Sequence, residues 1–130
     1  LVNYLKKDEK TNTVVTVPAA VEGAKRAELI YKVLETEPRV SLVDIKLLTG
    51  RSHQARVQMK SVGTPIFGDA RYGGDMLAKG YNLALWAYEL RFYHPVTKVP
   101  MVFMAYPPLD KTPWNLFAIE RHVRLVAPRS

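Results

Sequence analysis

The sequence predicts an α+β fold, mainly an antiparallel sheet with one or a few short helices, and three patterns carry that prediction. Two stretches, Glu28 to Glu35 and Ser41 to Leu48, alternate apolar and polar side chains with the period of a strand. After Thr49-Gly50 the period becomes helical, with Ala55, Met59 and Val62 at i, i+4 and i+7. A further pair of alternating stretches, Leu83 to Phe92 and Met101 to Tyr106, follows a glycine-rich loop. Strands that succeed one another through short turns, with no helix between them, build antiparallel rather than parallel sheets.

In chain order, residues 1–26 hold a short apolar start, the polar run Lys6 to Thr13 and a Val/Ala/Gly-rich stretch, and are expected as an irregular arm. Thr36-Glu37-Pro38-Arg39 turns the first hairpin, Ala27 to Leu48. The helix is expected over Ser52 to Val62, with Ser52 capping its start and Gly63 its end. Gly63 to Asp75 reads as a loop shaped by Gly63, Pro65, Gly68, Gly73 and Gly74. His94-Pro95-Val96-Thr97 turns the second hairpin, Leu83 to Tyr106, which is expected in the same antiparallel sheet as the first. A chain of 130 residues, 48% hydrophobic, buries one core but hardly two. The expectation is a single partial domain: arm 1–26, core 27–108, tail 109–130.

Several chemistries fall away on composition. No cysteine is present, so neither a disulfide nor a thiolate metal site can form, and a reducing compartment, the cytoplasm, is expected. No apolar run approaches the ~20 residues a membrane helix needs. His53, His94 and His122 lack close metal-ligand spacing, so no metal site is expected. Ser52 and His53, adjacent in sequence, cannot face each other on a helix as nucleophile and base. Gly68 to Gly74 is glycine-rich but has neither the Walker spacing nor a GxGxxG after a strand, which leaves it the role of a shaped loop. What remains is the charge: 19 Lys+Arg against 12 Asp+Glu give +7, the footprint of a polyanion binder.

The densest candidate site is Thr49-Gly50-Arg51-Ser52-His53-Gln54-Ala55-Arg56, where a strand passes into a helix. Free N–H groups at a helix start favour anions, and two arginines add donors arranged as forks. At roughly 100° per residue His53, Arg56 and Lys60 share one face, opposite Ala55, Met59 and Val62. Val57 lies beside this cationic stripe, which suits a stripe partly covered by protein. A solvated basic face would show the same periodicity, so both readings stay open at this level.

These residues resemble a family. Thr49 to Arg56, then Gly63-Thr64-Pro65-Ile66-Phe67-Gly68-Asp69 and Tyr72-Gly73, are similar to the C-terminal motif of RluA-type RNA pseudouridine synthases. Leu83 to Leu90 and Phe92 to Thr97 resemble that family's last hairpin, so the likeness runs from about Ala27 to Pro108. Ala55 departs from the family's larger aliphatic residue. The resemblance implies a C-terminal part of the catalytic domain of an enzyme that isomerises uridine to pseudouridine in ribosomal or transfer RNA, with no cofactor. It implies that Arg56 partners a catalytic aspartate, while Leu47, Leu48 and Ile66 serve as pocket wall and core. Arg51, His53, Lys60, Arg71 and Lys79 are the expected RNA-binding surface. The family's aspartate sits in an Arg-Leu-Asp motif, and none occurs in these 130 residues. On that ground the chain alone is expected to be inactive and truncated, with an exposed apolar face or strand edge that self-association can cover. The alternative is an RNA-binding module that never had an active site.

Overall fold

The computed structural model describes residues 1–73 and 80–125, and they form two compact units, Leu1–Leu83 and Ala84–Ser130. In the first unit, strands β1 (Val2–Asp8), β2 (Thr13–Val17), β3 (Lys25–Thr36) and β4 (Ser41–Leu47) form one sheet in the order β2-β1-β3-β4, every neighbouring pair antiparallel. Helix α1 (Gln54–Ser61) follows. The α+β class read from the sequence is the class found, with the expected first hairpin in β3 and β4; its turn closes where Glu37 N–H meets the Val40 carbonyl at 2.8 Å.

Residues 1–26, expected as an irregular arm, instead supply the hairpin β1–β2. The polar run Lys6 to Thr13 hid it. Its middle is the turn, with Asn12 at φ 55°, and its ends continue the strands, Lys7 facing Val14 and Asp8 facing Thr13. Only Leu5 and Val14 turn inward to the core, too few to set a visible period. Those two residues, with Ala27, Val57 and Tyr72, make the core cluster of the unit.

Helix α1 begins two residues later than expected. Its N-cap is His53, in the left-handed region at φ 52°, and no side chain caps it; Ser52 stays outside. Its end is as the sequence indicates: Gly63 takes φ 81°, its N–H reaches the Lys60 carbonyl at 2.9 Å, and Thr64 N–H reaches Met59 at 3.1 Å. This pair of bonds is the Schellman arrangement, which fits glycine because a Cβ at positive φ is strained. The buried positions are Gln54, Ala55, Val57, Gln58 and Met59, while Val62, assigned to the core face by periodicity, is 43% exposed. More of the helix circumference is covered than an amphipathic stripe implies.

The second unit holds β5 (Glu89–Tyr93) and β6 (Pro100–Met104) as a separate two-stranded antiparallel sheet, then a 3₁₀ turn (Trp114–Leu116) and α2 (Ile119–His122). The expectation that this hairpin joins the first sheet is therefore corrected. Alternation reports which faces a strand presents, not which strand it pairs with. Residues 83–88 are not strand: beyond Glu89 the pairing is continued by Ala105 N–H to the Tyr88 carbonyl and by the Trp86 indole N–H to the Ala105 carbonyl. Among the described residues no helix is long and apolar enough to cross a membrane.

Candidate active site

The octet Thr49 to Arg56 is pinned to β3 by side chains rather than by helix capping. The Thr49 hydroxyl accepts the Glu28 N–H at 2.9 Å and donates to Gln54 Oε1 at 2.7 Å. Gln54 Oε1 also accepts the Arg51 N–H at 2.9 Å, and its Nε2 donates to the Glu28 carbonyl at 3.0 Å. A buried amide with every contact satisfied fixes where α1 starts, which is why no serine cap is needed.

One turn into the helix, Arg56 meets a carboxylate. Its Nε donates to Asp69 Oδ2 at 3.0 Å and its Nη2 to Asp69 Oδ1 at 2.9 Å, a side-on fork. Oδ1 also accepts the N–H groups of Tyr72 at 3.0 Å and Arg71 at 3.2 Å. The Asp69 side chain is wholly buried, while that of Arg56 keeps 19% exposure. Burial alone would raise the Asp69 pKa; the Arg56 bond, the Tyr72 N–H, the Arg56 charge and the Arg71 N–H together hold it below its ordinary value. The same hydrogen bond raises the pKa of Arg56. The guanidinium is thus committed on one edge, with Nη1 uncommitted among the described residues.

The loop is built to make this pairing. Gly68, at φ 77°, would put a Cβ 2.1 Å from the Asn82 carbonyl oxygen, and Gly73 would put one 2.3 Å from the Asp69 carbonyl oxygen. Gly73 N–H bonds that same oxygen at 2.8 Å. The backbone therefore closes on itself around Asp69, delivering two N–H groups to its side chain much as the first turn of a helix does for its cap.

Tyr72 ties the loop to the rest of the unit. Arg56 Cζ stands 5.0 Å over its ring, and its hydroxyl accepts the buried Val14 N–H at 2.9 Å. His53 Nδ1 lies 2.7 Å from the same oxygen. Because that hydroxyl already accepts from Val14, its proton is best used toward Nδ1, which assigns His53 the neutral tautomer with N–H at Nε2. The electrostatics agree: burial first, then the charges of Arg56, Arg71 and Lys7, lower the His53 pKa from its ordinary 6.5, with Asp69 opposing.

Of the residues singled out from sequence, Arg56, His53 and Arg71 converge around Tyr72, Arg71 anchoring by Nη1 to the Thr11 carbonyl and Thr13 Oγ1, each at 3.0 Å. Arg51 does not join them; its Nε donates to the Arg26 carbonyl at 2.8 Å, along the start of β3. Lys60 is exposed at the end of α1, and Lys79 lies outside the described residues. Leu47 and Leu48 are 53% and 45% exposed. Sequence reasoning passed over Asp69, Tyr72 and Lys7. The signal for the first two was present: an aspartate just after one glycine, four residues before another, is placed to cap its own turn. Among the described residues no group of His, Asp or Glu could hold a metal ion.

Comparison with known proteins finds similarity to RNA pseudouridine synthases. Residues 1–61 match the family described as RNA pseudouridylate synthase. The chain is 36% identical over 95 residues to an uncharacterised RNA pseudouridine synthase of Mycoplasma genitalium, covering 72% of this chain and 31% of that protein. To ribosomal large subunit pseudouridine synthase C of Vibrio vulnificus it is 36% identical over 96 residues, 69% of this chain and 30% of that protein. To the dual-specificity RNA pseudouridine synthase RluA of Vibrio cholerae it is 44% identical over 66 residues, 50% of this chain and 27% of that protein. The chain spans about a third of the length of the curated relatives it matches.

Proposed function

We propose, from the premise that this chain belongs to the RNA pseudouridine synthase family, that it is the Arg56-bearing C-terminal segment of an enzyme isomerising uridine to pseudouridine in ribosomal or transfer RNA in the cytoplasm. The observation that carries this reading is the state of Arg56: side-on to buried Asp69, stacked on Tyr72, and still presenting a second edge. In the proposed enzyme that edge holds the carboxylate that attacks the nucleoside. A carboxylate in a closed pocket tends to take up a proton, and an arginine within hydrogen-bond reach keeps it ionised. Asp69 is not that nucleophile in this reading, because all its oxygens are buried and bonded. The chain alone, without an Arg-Leu-Asp motif, is accordingly inactive.

The chemistry detaches uracil from ribose and rejoins it through carbon, so the nucleotide must leave its stack, at a cost of a few kcal/mol. Contacts to flanking phosphates offset that cost. Arg51, His53, Lys60, Arg71 and Lys79 are the proposed RNA surface. With Nδ1 occupied by Tyr72, the His53 Nε2–H is the free donor for a phosphate oxygen.

Two measurements test this. The isolated chain should bind single-stranded RNA with a log-affinity that falls linearly in log salt, by about 0.7 per phosphate neutralised, and should turn over no uridine. In the complete protein, Arg56→Ala should abolish single-turnover pseudouridylation with RNA affinity little changed, Arg56→Lys should not rescue it, and Arg51→Ala should weaken binding first. If Arg56→Ala reacts near the parent rate, or loses only affinity, Arg56 is a phosphate contact and the reading is wrong.

A further inference from the structure

β4 ends the four-stranded sheet, and the direction of its backbone groups follows from the contacts of β3. Leu29 gives its N–H to the Leu1 carbonyl at 3.0 Å and accepts from the Leu1 amine at 2.8 Å, so Leu29 faces β1. Its neighbours in β3 therefore face β4, as the Leu48 N–H to the Glu28 carbonyl at 3.0 Å bears out. Since Ile30 stands opposite Lys46 and Lys32 opposite Asp44, the backbone groups of Lys46 and Asp44 point inward to β3. Those of Val43, Ile45 and Leu47 point out of the sheet, on the side where no described strand pairs with β4. The side chains of these three share a face with Tyr31 and Val33, where Tyr31 is 41%, Val33 49% and Leu47 53% exposed.

We propose that β4 pairs antiparallel with β4 of a second copy of this chain, about a two-fold axis through Ile45. In that register Ile45 meets its own counterpart and Val43 meets Leu47 of the second copy, each pair exchanging two hydrogen bonds between groups that otherwise face outward. The register also sets Asp44 opposite Lys46 of the second copy, and Lys46 opposite its Asp44, so the opposite-charge pair occurs twice. Other centres do worse. An axis at Asp44 or Lys46 sets like charges directly opposite each other; an axis at Val43 sets Asp44 against Leu42 and loses the charge match, and an axis at Leu47 runs off the end of the strand. The apolar faces then join, Tyr31 and Ile45 continuing into Ile45 and Tyr31 of the second copy, and the exposed edge disappears. This inference concerns the sheet alone and stands whether or not the enzymatic reading does.

The 130-residue chain itself is the test, by light scattering and by amide exchange across a dilution series. The expected mass is twice the 14.7 kDa of one chain. The Val43, Ile45 and Leu47 amides should exchange at least about tenfold more slowly in the concentrated sample, whereas Asp44 and Lys46, bonded to β3 throughout, should not change. Lys46→Asp alone and Asp44→Lys alone should each give a monomer with the parent circular dichroism, and mixing the two should restore a dimer, since each then supplies the charge the other lacks. If Asp44→Lys folds poorly beside Lys32, the exchange pattern of the parent chain and the Lys46→Asp variant decide the matter without it. A monomer at every concentration overturns the proposal and leaves the edge to a different strand. So does a dimer in which the Ile45 amide stays fast, or one that is indifferent to Lys46→Asp.

Discussion

Asp69→Asn is the sharpest perturbation of the first unit, because it keeps the shape of the side chain and removes only its charge. The carboxylate is fully buried and takes four hydrogen bonds, two from Arg56 and two from backbone N–H groups. An amide can keep the backbone contacts through its carbonyl oxygen, but its NH₂ then confronts the Arg56 Nε–H, donor against donor. Removing one half of a buried pair costs about 3–5 kcal/mol; the 19% exposure of Arg56 and the surviving backbone contacts put this case at the low end. About 3 kcal/mol in a unit of this size is a melting shift of roughly 12–24 °C. Calorimetry and amide exchange of α1 would read the change. Acidity adds a second arm. Because the folded pKa of Asp69 lies below its ordinary 3.8, its stabilisation is fully present above that value and is lost as pH falls through the folded pKa. The gap between parent and variant should therefore be constant from neutral to mildly acid solution and close below 3.8. A shift under about 3 °C at neutral pH, or a gap that does not close in acid, would refute the reasoning.

The glycines of the loop and the hydroxyl at its end give two further expectations. Gly73→Ala drives a Cβ to 2.3 Å from a backbone oxygen that cannot move without opening the Asp69 turn, so it should cost at least about 2 kcal/mol, whereas Gly50→Ala, with nothing within 4 Å, should change the denaturation midpoint little. Tyr72→Phe leaves the buried Val14 N–H without its acceptor and should cost about 1–3 kcal/mol. In the parent, the His53 ring should titrate below 6.5 by proton NMR, and Arg71→Gln should move that midpoint upward by removing one of the charges that oppose protonation; an unchanged midpoint would separate Arg71 from the His53 cluster.

What the sequence made legible divides along range. The first hairpin, the helix and the glycine stop at Gly63 are set by neighbours within a few residues, and each was readable from period and turn chemistry. The errors are all questions of partners. The β1–β2 hairpin stands because β1 pairs on both sides, with β2 and with β3, a fact absent from its own polar sequence. The separation of the β5–β6 sheet is likewise a matter of pairing, and the start of α1 is decided by Gln54 reaching Glu28, twenty-six residues away. In the site, Arg56 was legible as an arginine that needs an acidic partner. Asp69 was not legible as that partner, since it lies thirteen positions further along the chain, past the rest of α1 and a loop, and only the closure at Gly73 brings them together.

That closure bears on how a second carboxylate would be held. A free arginine loses much side-chain entropy when it is fixed on a carboxylate, and the loss weakens the pair by the same amount. Arg56 has lost it already: Asp69 takes one edge, Tyr72 covers the plane, and the Tyr72 hydroxyl is itself held by Val14 from β2. Residues from β2, α1 and the loop thus fix one guanidinium independently of any substrate. In the proposed enzyme the nucleophile's carboxylate would therefore meet an arginine whose outer edge is already aimed, gaining the hydrogen bonds without the ordering cost. The same arrangement explains why lysine should fail at this position even though it keeps the charge. An ammonium has no second edge to present once Asp69 has taken it, so Arg56→Lys would satisfy the buried carboxylate and leave the incoming one unpaired.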